Sequence, residues 1–314
     1  MWKKPSPWLA SLPAALLASS ALAIDLDLID TSVADPEQTV IDALVGPGSN
    51  ITVVPGSVQF VGRIGDGNEA QSALFSNFNL VPNSGGGPTV TIDDGVLLTS
   101  GVANIPLTNT VNKWDHVQAG VSAPGTGNNA DLAALVGNST NDQNFIQFQF
   151  TLDNPDDTGI AIDLVFGSDE YPTQTVTDIF GFFVDGVNFA EFPSGDLIGN
   201  NDDTQFIDNP VGSGVYDIEY NGITPRFTIV ASVDPGLATH TALIALADTG
   251  DSIYDSGAFV SNVRGTDEAD GIGGPPPPGP TPAFTSVPVN SAWGLGLMIF
   301  ALMATGTLMA RLRG

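Results

Sequence analysis

Cysteine is absent from the 314 residues. The chain therefore has no disulfide, no zinc–thiolate site and no cysteine to carry a lipid anchor. Basic residues are nearly as scarce: eight lysines and arginines face 35 acidic residues, for a net charge of −27. Lys3, Lys4, Arg311 and Arg313 sit at the two ends. Only Arg63, Lys113, Arg226 and Arg264 remain between them, so residues 24–291 set four basic groups against all 35 acids, a net −31. Such a field repels nucleic acid and anionic headgroups and attracts divalent cations and basic surfaces. Nucleic-acid binding is excluded on this ground. Histidine is limited to His116, in KWDHV, and His240, in ATHTA; each reads as a surface or strand residue rather than a base. There is no Gly-x-Ser-x-Gly elbow, no His-Glu-x-x-His pair and no phosphate loop, so no catalytic or cofactor-binding residue is nominated. No internal repeat is visible, which argues against a propeller or solenoid.

Long apolar runs occur only at the ends. Residues 1–23 combine Lys3 and Lys4, an apolar stretch from Leu9 to Leu22, and Ala21-Leu22-Ala23. This is the three-part layout of a secretory signal peptide, with the mature chain beginning near Ile24. Residues 271–286 open with GIGGPPPPGPTP, a stiff uncharged linker that cannot build a core. Residues 287–314 follow, with a 19-residue uncharged segment, 292–310, before Arg311 and Arg313. That length suffices for a transmembrane helix, with the arginines on the cytoplasmic side. The arrangement VPVNSAW–apolar–RLRG resembles the C-terminal sorting signals of exosortase substrates in Gram-negative bacteria, the type named for Ile-Pro-Thr-Leu. Val287-Pro288-Val289 stands where that motif would be. The resemblance implies a protein held in the inner membrane by its C-terminal helix until an exosortase-like sorting protease cuts it free. A plain membrane anchor is the simpler alternative.

The body, residues 24–270, shows one helical signature. Asp35 precedes Pro36 and Glu37, apolar residues follow at Val40, Ile41, Leu44 and Val45, and Gly46 stops the run. The rest is short β-type runs: 51–54, 57–62, 89–92, 96–99, 145–152, 160–166, 179–184, 187–192, 215–220, 226–233, 241–247 and 258–264. Ile146, Phe148, Phe150 and Leu152 alternate onto one face, as do Ile160, Ile162, Leu164 and Phe166. Many short strands with Gly-, Asn-, Asp- and Pro-rich turns predict a mainly β domain, an antiparallel sandwich or jelly roll with one short N-terminal helix. A barrel is the alternative. Residues 62–88 and 104–130 read as long loops without strong strands.

Two acidic stretches interrupt the apolar runs. In 165–186, VFGSDEYPTQTVTDIFGFFVDG, the residues Asp169, Glu170 and Asp178 lie between two strands, and Asp185-Gly186 marks a tight hairpin. In 244–259, IALADTGDSIYDSGAF, the residues Asp248, Asp251 and Asp255, with Ser252 and Ser256, lie between two more. Calcium takes six to eight oxygens from carboxylates, carbonyls and hydroxyls, and such loops can supply them. These six acids are the candidate metal ligands, with calcium the candidate cofactor; a solvated acidic loop is the plain alternative. The two loops are expected to share one ion. A glycosidase needs only two carboxylates at a fixed separation, and Glu170 with Asp178 or Asp255 could be named. The body offers few aromatic platforms for sugar, namely Trp114, Tyr171, Tyr216, Tyr220 and Tyr254.

Five motifs occur in the order seen in choice-of-anchor L domains: GVLLTSG (95–101), NADLAAL (129–135), VFGSDEYP (165–172), DIFGFFVDG (178–186) and IALADTGDSIYDSGAF (244–259). The early helix and VQFVGR (58–63) fit the start of that domain. The chain thus resembles this family from about Asp35 to Arg264, with Gly167-Ser168-Asp169-Glu170-Tyr171 where members usually show Ala-Ser-Glu-Glu-Tyr. The resemblance implies an exported, surface-displayed β domain and brings no activity with it. The resulting expectation is a non-enzymatic surface or sorted protein acting in adhesion or extracellular matrix, with surface polysaccharide or matrix as partner. A carbohydrate-binding or carbohydrate-active secreted protein is the rival.

Overall fold

A computed structural model describes residues 24–273 apart from 67–68, 84–86, 111–124, 173–177, 200–203, 213–214 and 269–270. All of these lie in the first of the chain's two units, Met1–Pro275. The signal peptide, nearly all of the linker, the sorting signal, the 292–310 helix, Lys113, Trp114 and His116 fall outside the described residues. Among the described residues, no helix is long and apolar enough to cross a membrane.

The alternation in the sequence is realised in two antiparallel sheets. The larger follows the order β1 (Asp25–Leu28), β4 (Ser72–Ser76), β7 (Gly95–Thr99), β16 (Ser256–Thr266), β9 (Gly159–Ser168), β13 (Gly222–Ile223) and β12 (Ile207–Asp208). Strand β14 (Phe227–Ser232) also pairs with β9, and β17 (Gly271–Gly273) pairs with β14. The smaller sheet follows β11 (Val187–Asn188), β10 (Ile179–Val184), β15 (His240–Thr249), β8 (Thr140–Leu152) and β2 (Ile51–Val53), with β3 (Gln59–Val61) also on β8. A separate pair joins β5 (Asn79–Leu80) to β6 (Val90–Thr91).

Ile146, Phe148 and Phe150 of β8 pack with Ile160, Ile162, Leu164 and Phe166 of β9 in one core drawn from both sheets. Helix α1 (Pro36–Leu44) adds Val40, Ile41 and Leu44 to it. Its N-cap is Asp35, whose carboxylate accepts from the Gln38 N–H at 3.0 Å, with Pro36 opening the helix. A second core, with Phe75, Leu97, Val165, Tyr216, Tyr220 and Phe259, covers the other face of the larger sheet. A third, with Leu132, Ile179, Phe183 and Leu243, covers the other face of the smaller one. Being covered on both faces is why all ten residues of β9 and all six of β10 are buried.

Four expectations are corrected. Among the described residues there are two helices, not one: α2 (Ala130–Val136) is capped by Asn129, which accepts from the Asp131 and Leu132 N–H groups, and ends at Gly137 in the left-handed conformation. Residues 62–88 hold β4 and β5, and β4 bridges β1 and β7 inside the larger sheet. Residues 215–220 are not a strand. The Asn209 amide takes over the ladder's role there, donating to the Ile218 and Tyr220 carbonyls at 3.1 and 2.9 Å and accepting from the Tyr216 N–H at 3.0 Å. Residues 187–192 form only the two-residue β11, since the Asn188 side chain accepts from the Phe182 and Ala190 N–H groups and turns the chain away. The Asp185-Gly186 hairpin joins β10 to β11 with φ of 50° and 82°, as a primed turn requires.

Candidate functional site: a buried carboxylate cluster

The acidic residues gather where the two sheets end together. Asp169 and Glu170 follow β9, Asp178 precedes β10, Asp248 lies near the end of β15, and Asp255 precedes β16. Register brings these ends side by side: Ser168 opposes Ser256, Thr99 opposes Gly257, and Ile179 opposes Ala247. Asp248 keeps phase with the core residues Ile244 and Leu246, and the ladder to β8 shifts register between Leu246 and Asp248. Such irregularities re-aim side chains near the end of a sheet.

None of the five reaches water. Relative exposures are 0 % for Asp169, 2 % for Glu170, 1 % for Asp178, 1 % for Asp248 and 2 % for Asp255. The Asp169 N–H donates to the Asp255 carbonyl at 3.2 Å, which ties the first acidic stretch to the second. The Asn221 amide donates to the Asp169 carbonyl at 3.0 Å. Glu170 accepts from the Asp178 N–H at 3.0 Å and donates its own N–H to Ser168 Oγ at 3.1 Å. Ser100, just after β7, accepts the Ser256 N–H at 3.0 Å and donates its hydroxyl to Asp178 Oδ2 at 3.3 Å. That relay links the larger sheet to the smaller one. The sixth candidate, Asp251, stands apart: it is half-exposed, and its carboxylate accepts from the Ile253 N–H at 3.4 Å.

Charge in this place is expensive. Burial pushes the Asp178 carboxyl up to about 7, with the Asp255 charge adding to it against the hydrogen bonds it accepts. Burial pushes Asp248 well above the usual carboxylate range, reinforced by the charges of Asp178 and Asp255. The two carboxyls lie in hydrogen-bonding contact. Otherwise neither oxygen of Asp248 has a hydrogen-bond partner, because the nearby Ser100 hydroxyl gives its one proton to Asp178. Burial pushes the Tyr220 hydroxyl well up too, and Glu219, Asp169, Asp255 and Asp178 act on it in the same sense. Among the described residues, no basic group acts on Asp178 or Asp248. Arg63 pairs with Glu69, and Arg264 pairs with Asp163 at 3.4 Å.

Two glycines make the packing possible. A Cβ on Gly101 would stand 1.7 Å from Asp255 Oδ2, so the carboxylate rests directly on that backbone. A Cβ on Gly167 would stand 2.4 Å from the Tyr220 ring, which closes the cluster from the side. Ser100, Gly101 and Tyr220 were not readable as site residues, although Thr99-Ser100-Gly101 directly after an apolar strand is the signal that marks them. Among the described residues, no three Asp, Glu, His or Cys side chains stand at metal-ligating spacing around one point. Any ion here needs hydroxyl or main-chain oxygens beside the carboxylates, which suits calcium better than zinc.

The remaining candidates have structural surroundings. His240 opens β15, is buried, and places Nδ1 2.8 Å from Asp185 Oδ2. Tyr216 and Tyr220 are fully buried, and Tyr171 is half-buried and stacks on Phe206 with ring centroids 4.9 Å apart. A cavity of about 570 Å³ is lined by Leu152, Asp157, Val233, Leu237 and His240, and another of about 340 Å³ by Asp25, Asp27, Leu74 and Phe75. Neither touches the acidic cluster.

Fold and site together define a two-sheet antiparallel β domain with an acidic interior at one end. The sequence matches the Choice-of-anchor L domain over residues 29–263, and the chain belongs to that family. Membership supports a surface-anchored or sorted protein. No curated protein matches the chain. Among solved structures, the GH31 alpha-xylosidase from Xanthomonas citri is similar at 8 % identity and a TM-score of 0.16, over 69 % of this chain and 19 % of the enzyme. A likeness that slight bears on neither fold nor function.

Proposed function

We propose that this is an exported, surface-anchored or sorted protein whose β domain is a non-catalytic module of adhesion or extracellular matrix, stabilised by calcium. One observation carries the non-catalytic part. The carboxylates nominated for general acid–base chemistry, Glu170, Asp178 and Asp255, are sealed at the end of the sandwich and line neither cavity. A glycosidase must present its carboxylate pair to a sugar in an open cleft. The burial of Tyr216 and Tyr220 likewise removes two candidate sugar platforms. The family supports display at the surface, and the sorting-like tail, with an exosortase-like protease as its processing partner, agrees with it.

The test is a screen of the purified full chain against surface and matrix polysaccharides, read both as retention and as release of reducing ends. Retention or cell attachment without release supports the proposal. Release of reducing ends abolished by Glu170→Gln contradicts the sealed-site argument, and release that survives that change contradicts the non-catalytic reading by placing a catalytic pair elsewhere.

A further inference from the structure

We infer that Asp178 and Asp248, with the hydroxyls of Ser100 and Ser256 and with Asp255 closing from the larger sheet, hold one calcium ion that clamps the two sheets together. The choice of ion rests on the calcium-stabilised reading above; the site itself does not depend on where the protein is displayed.

The first ground is charge. Asp178, Asp248 and Asp255 are all buried, stand at the ends of three different strands, and among the described residues have no basic group acting on the first two. Carboxylates removed from water are tolerated when paired with cations, bound to a metal or protonated. Arginine is not the partner here.

A second, independent ground comes from polar atoms left over. The Asp178 carboxyl and the Ser100 hydroxyl lie beside Asp248, yet neither of its oxygens takes a well-formed hydrogen bond from a donor. The Ser256 hydroxyl, fully buried in β16, lies beside the Asp178 carboxyl but completes no well-formed hydrogen bond there. Native interiors rarely leave such atoms idle, and each one calls for an occupant. Both belong to the same sheet end. A third ground is Gly101, where the missing Cβ is what lets the Asp255 carboxylate lie at the cluster.

The elements that meet there explain the clamp. Asp178 and Asp248 belong to the smaller sheet through β10 and β15, whereas Ser100, Ser256 and Asp255 belong to the larger through β7 and β16. An ion between them replaces mutual repulsion with attraction at the point where the sheets part. Two or three carboxylates with hydroxyl oxygens form an irregular, mostly dry set. Calcium accepts such a set, while magnesium demands a near-octahedral shell and keeps its waters. Because no three carboxylates already stand at ligating spacing, binding draws Asp255 inward onto a pair formed by Asp178 and Asp248.

Equilibrium dialysis of the purified full chain against calcium, with magnesium in excess to occupy surface acids, tests this directly. One retained calcium per wild-type chain is expected, lost in Asp248→Asn and kept in Asp251→Asn. Circular dichroism establishes that the Asn variants are folded, and the wild-type stoichiometry stands even if one is not. No retained calcium in the wild type overturns the site and assigns its neutralisation to protons. Calcium retained by folded Asp248→Asn also overturns it, by placing the ion elsewhere. In either of those cases a surface-display assay on cells still decides the functional reading separately.

Discussion

The carboxyl groups of Asp178 and Asp248, from adjoining strand ends in the smaller sheet, lie in hydrogen-bonding contact while both are buried from water. Two carboxylates cannot share such a contact while both are charged and unneutralised. A proton between them or a cation beside them is required. The surrounding elements make this a junction of both sheets rather than a surface loop.

Gly101→Ala tests the closeness of Asp255. The added methyl would stand 1.7 Å from Asp255 Oδ2, so the carboxylate must move. Overpacking of this kind costs about 1–3 kcal/mol. Thermal unfolding of the variant is expected to show a lowered midpoint and a smaller response to calcium. An unchanged midpoint would mean that Asp255 is free to leave the cluster at no cost.

Asn209→Ala tests the segment 215–220. The buried amide makes three main-chain hydrogen bonds that substitute for strand pairing. Each net bond contributes about 0.5–1.5 kcal/mol, and the orphaned buried groups add to the loss. A destabilisation of roughly 2–4 kcal/mol is expected by denaturant titration, and Asn209→Asp is expected to be at least as harmful, because its buried carboxylate would face the Ile218 and Tyr220 carbonyls with no proton to donate.

The pair Asp185–His240 makes a pH prediction. Burial works against the Asp185 charge, but hydrogen bonds from the Thr241 N–H, from His240 and from the Asp234 N–H outweigh it, and the carboxyl sits below its ordinary 3.8. A carboxyl lowered on folding stabilises above its unfolded value, and that stability is lost as pH falls through the folded one. Asp185→Asn keeps the turn, since Asn tolerates the positive φ of 50° found there. Between about pH 4 and pH 2 the wild type should therefore lose more stability than the variant. Equal acid sensitivity would remove this pair from the account.

Sorting is tested in cells. Deleting residues 287–314 is expected to move the protein from the membrane or surface fraction into the medium, read by fractionation and by protease shaving of intact cells. Retention at the surface without those residues would contradict the sorting role of the tail.

What the sequence disclosed was whatever depends on local pattern. Alternation in β8 and β9, the Asp35–Gly46 helix and the Asp185-Gly186 hairpin are near-neighbour signals, and they appear where the pattern puts them. Strand β4, SALFS, does not alternate, because it is paired on both sides by β1 and β7 and buries residues on both of its faces, and the Gly- and Asn-rich residues around it conceal it. Tyr216, Ile218 and Tyr220 alternate like a strand, yet the side chain of Asn209, outside that run, organises them differently. The carboxylates were visible as residues between apolar runs. Their sealing was not, because it arises from Ser100, Gly101 and Tyr220, which reach the cluster from elsewhere in the chain.

The central claim is most directly tested by thermal unfolding of the purified full chain in calcium, in magnesium and in chelator. A ligand that binds only the native state contributes about 2.7 kcal/mol at a hundredfold excess over its dissociation constant. For a domain of this size each kcal/mol moves the midpoint by about 2–4 °C. The account predicts a rise of several degrees with calcium, little with magnesium, and loss of the difference in Asp248→Asn. Identical midpoints in calcium and chelator would contradict it, leaving the buried carboxyls neutralised by protons alone.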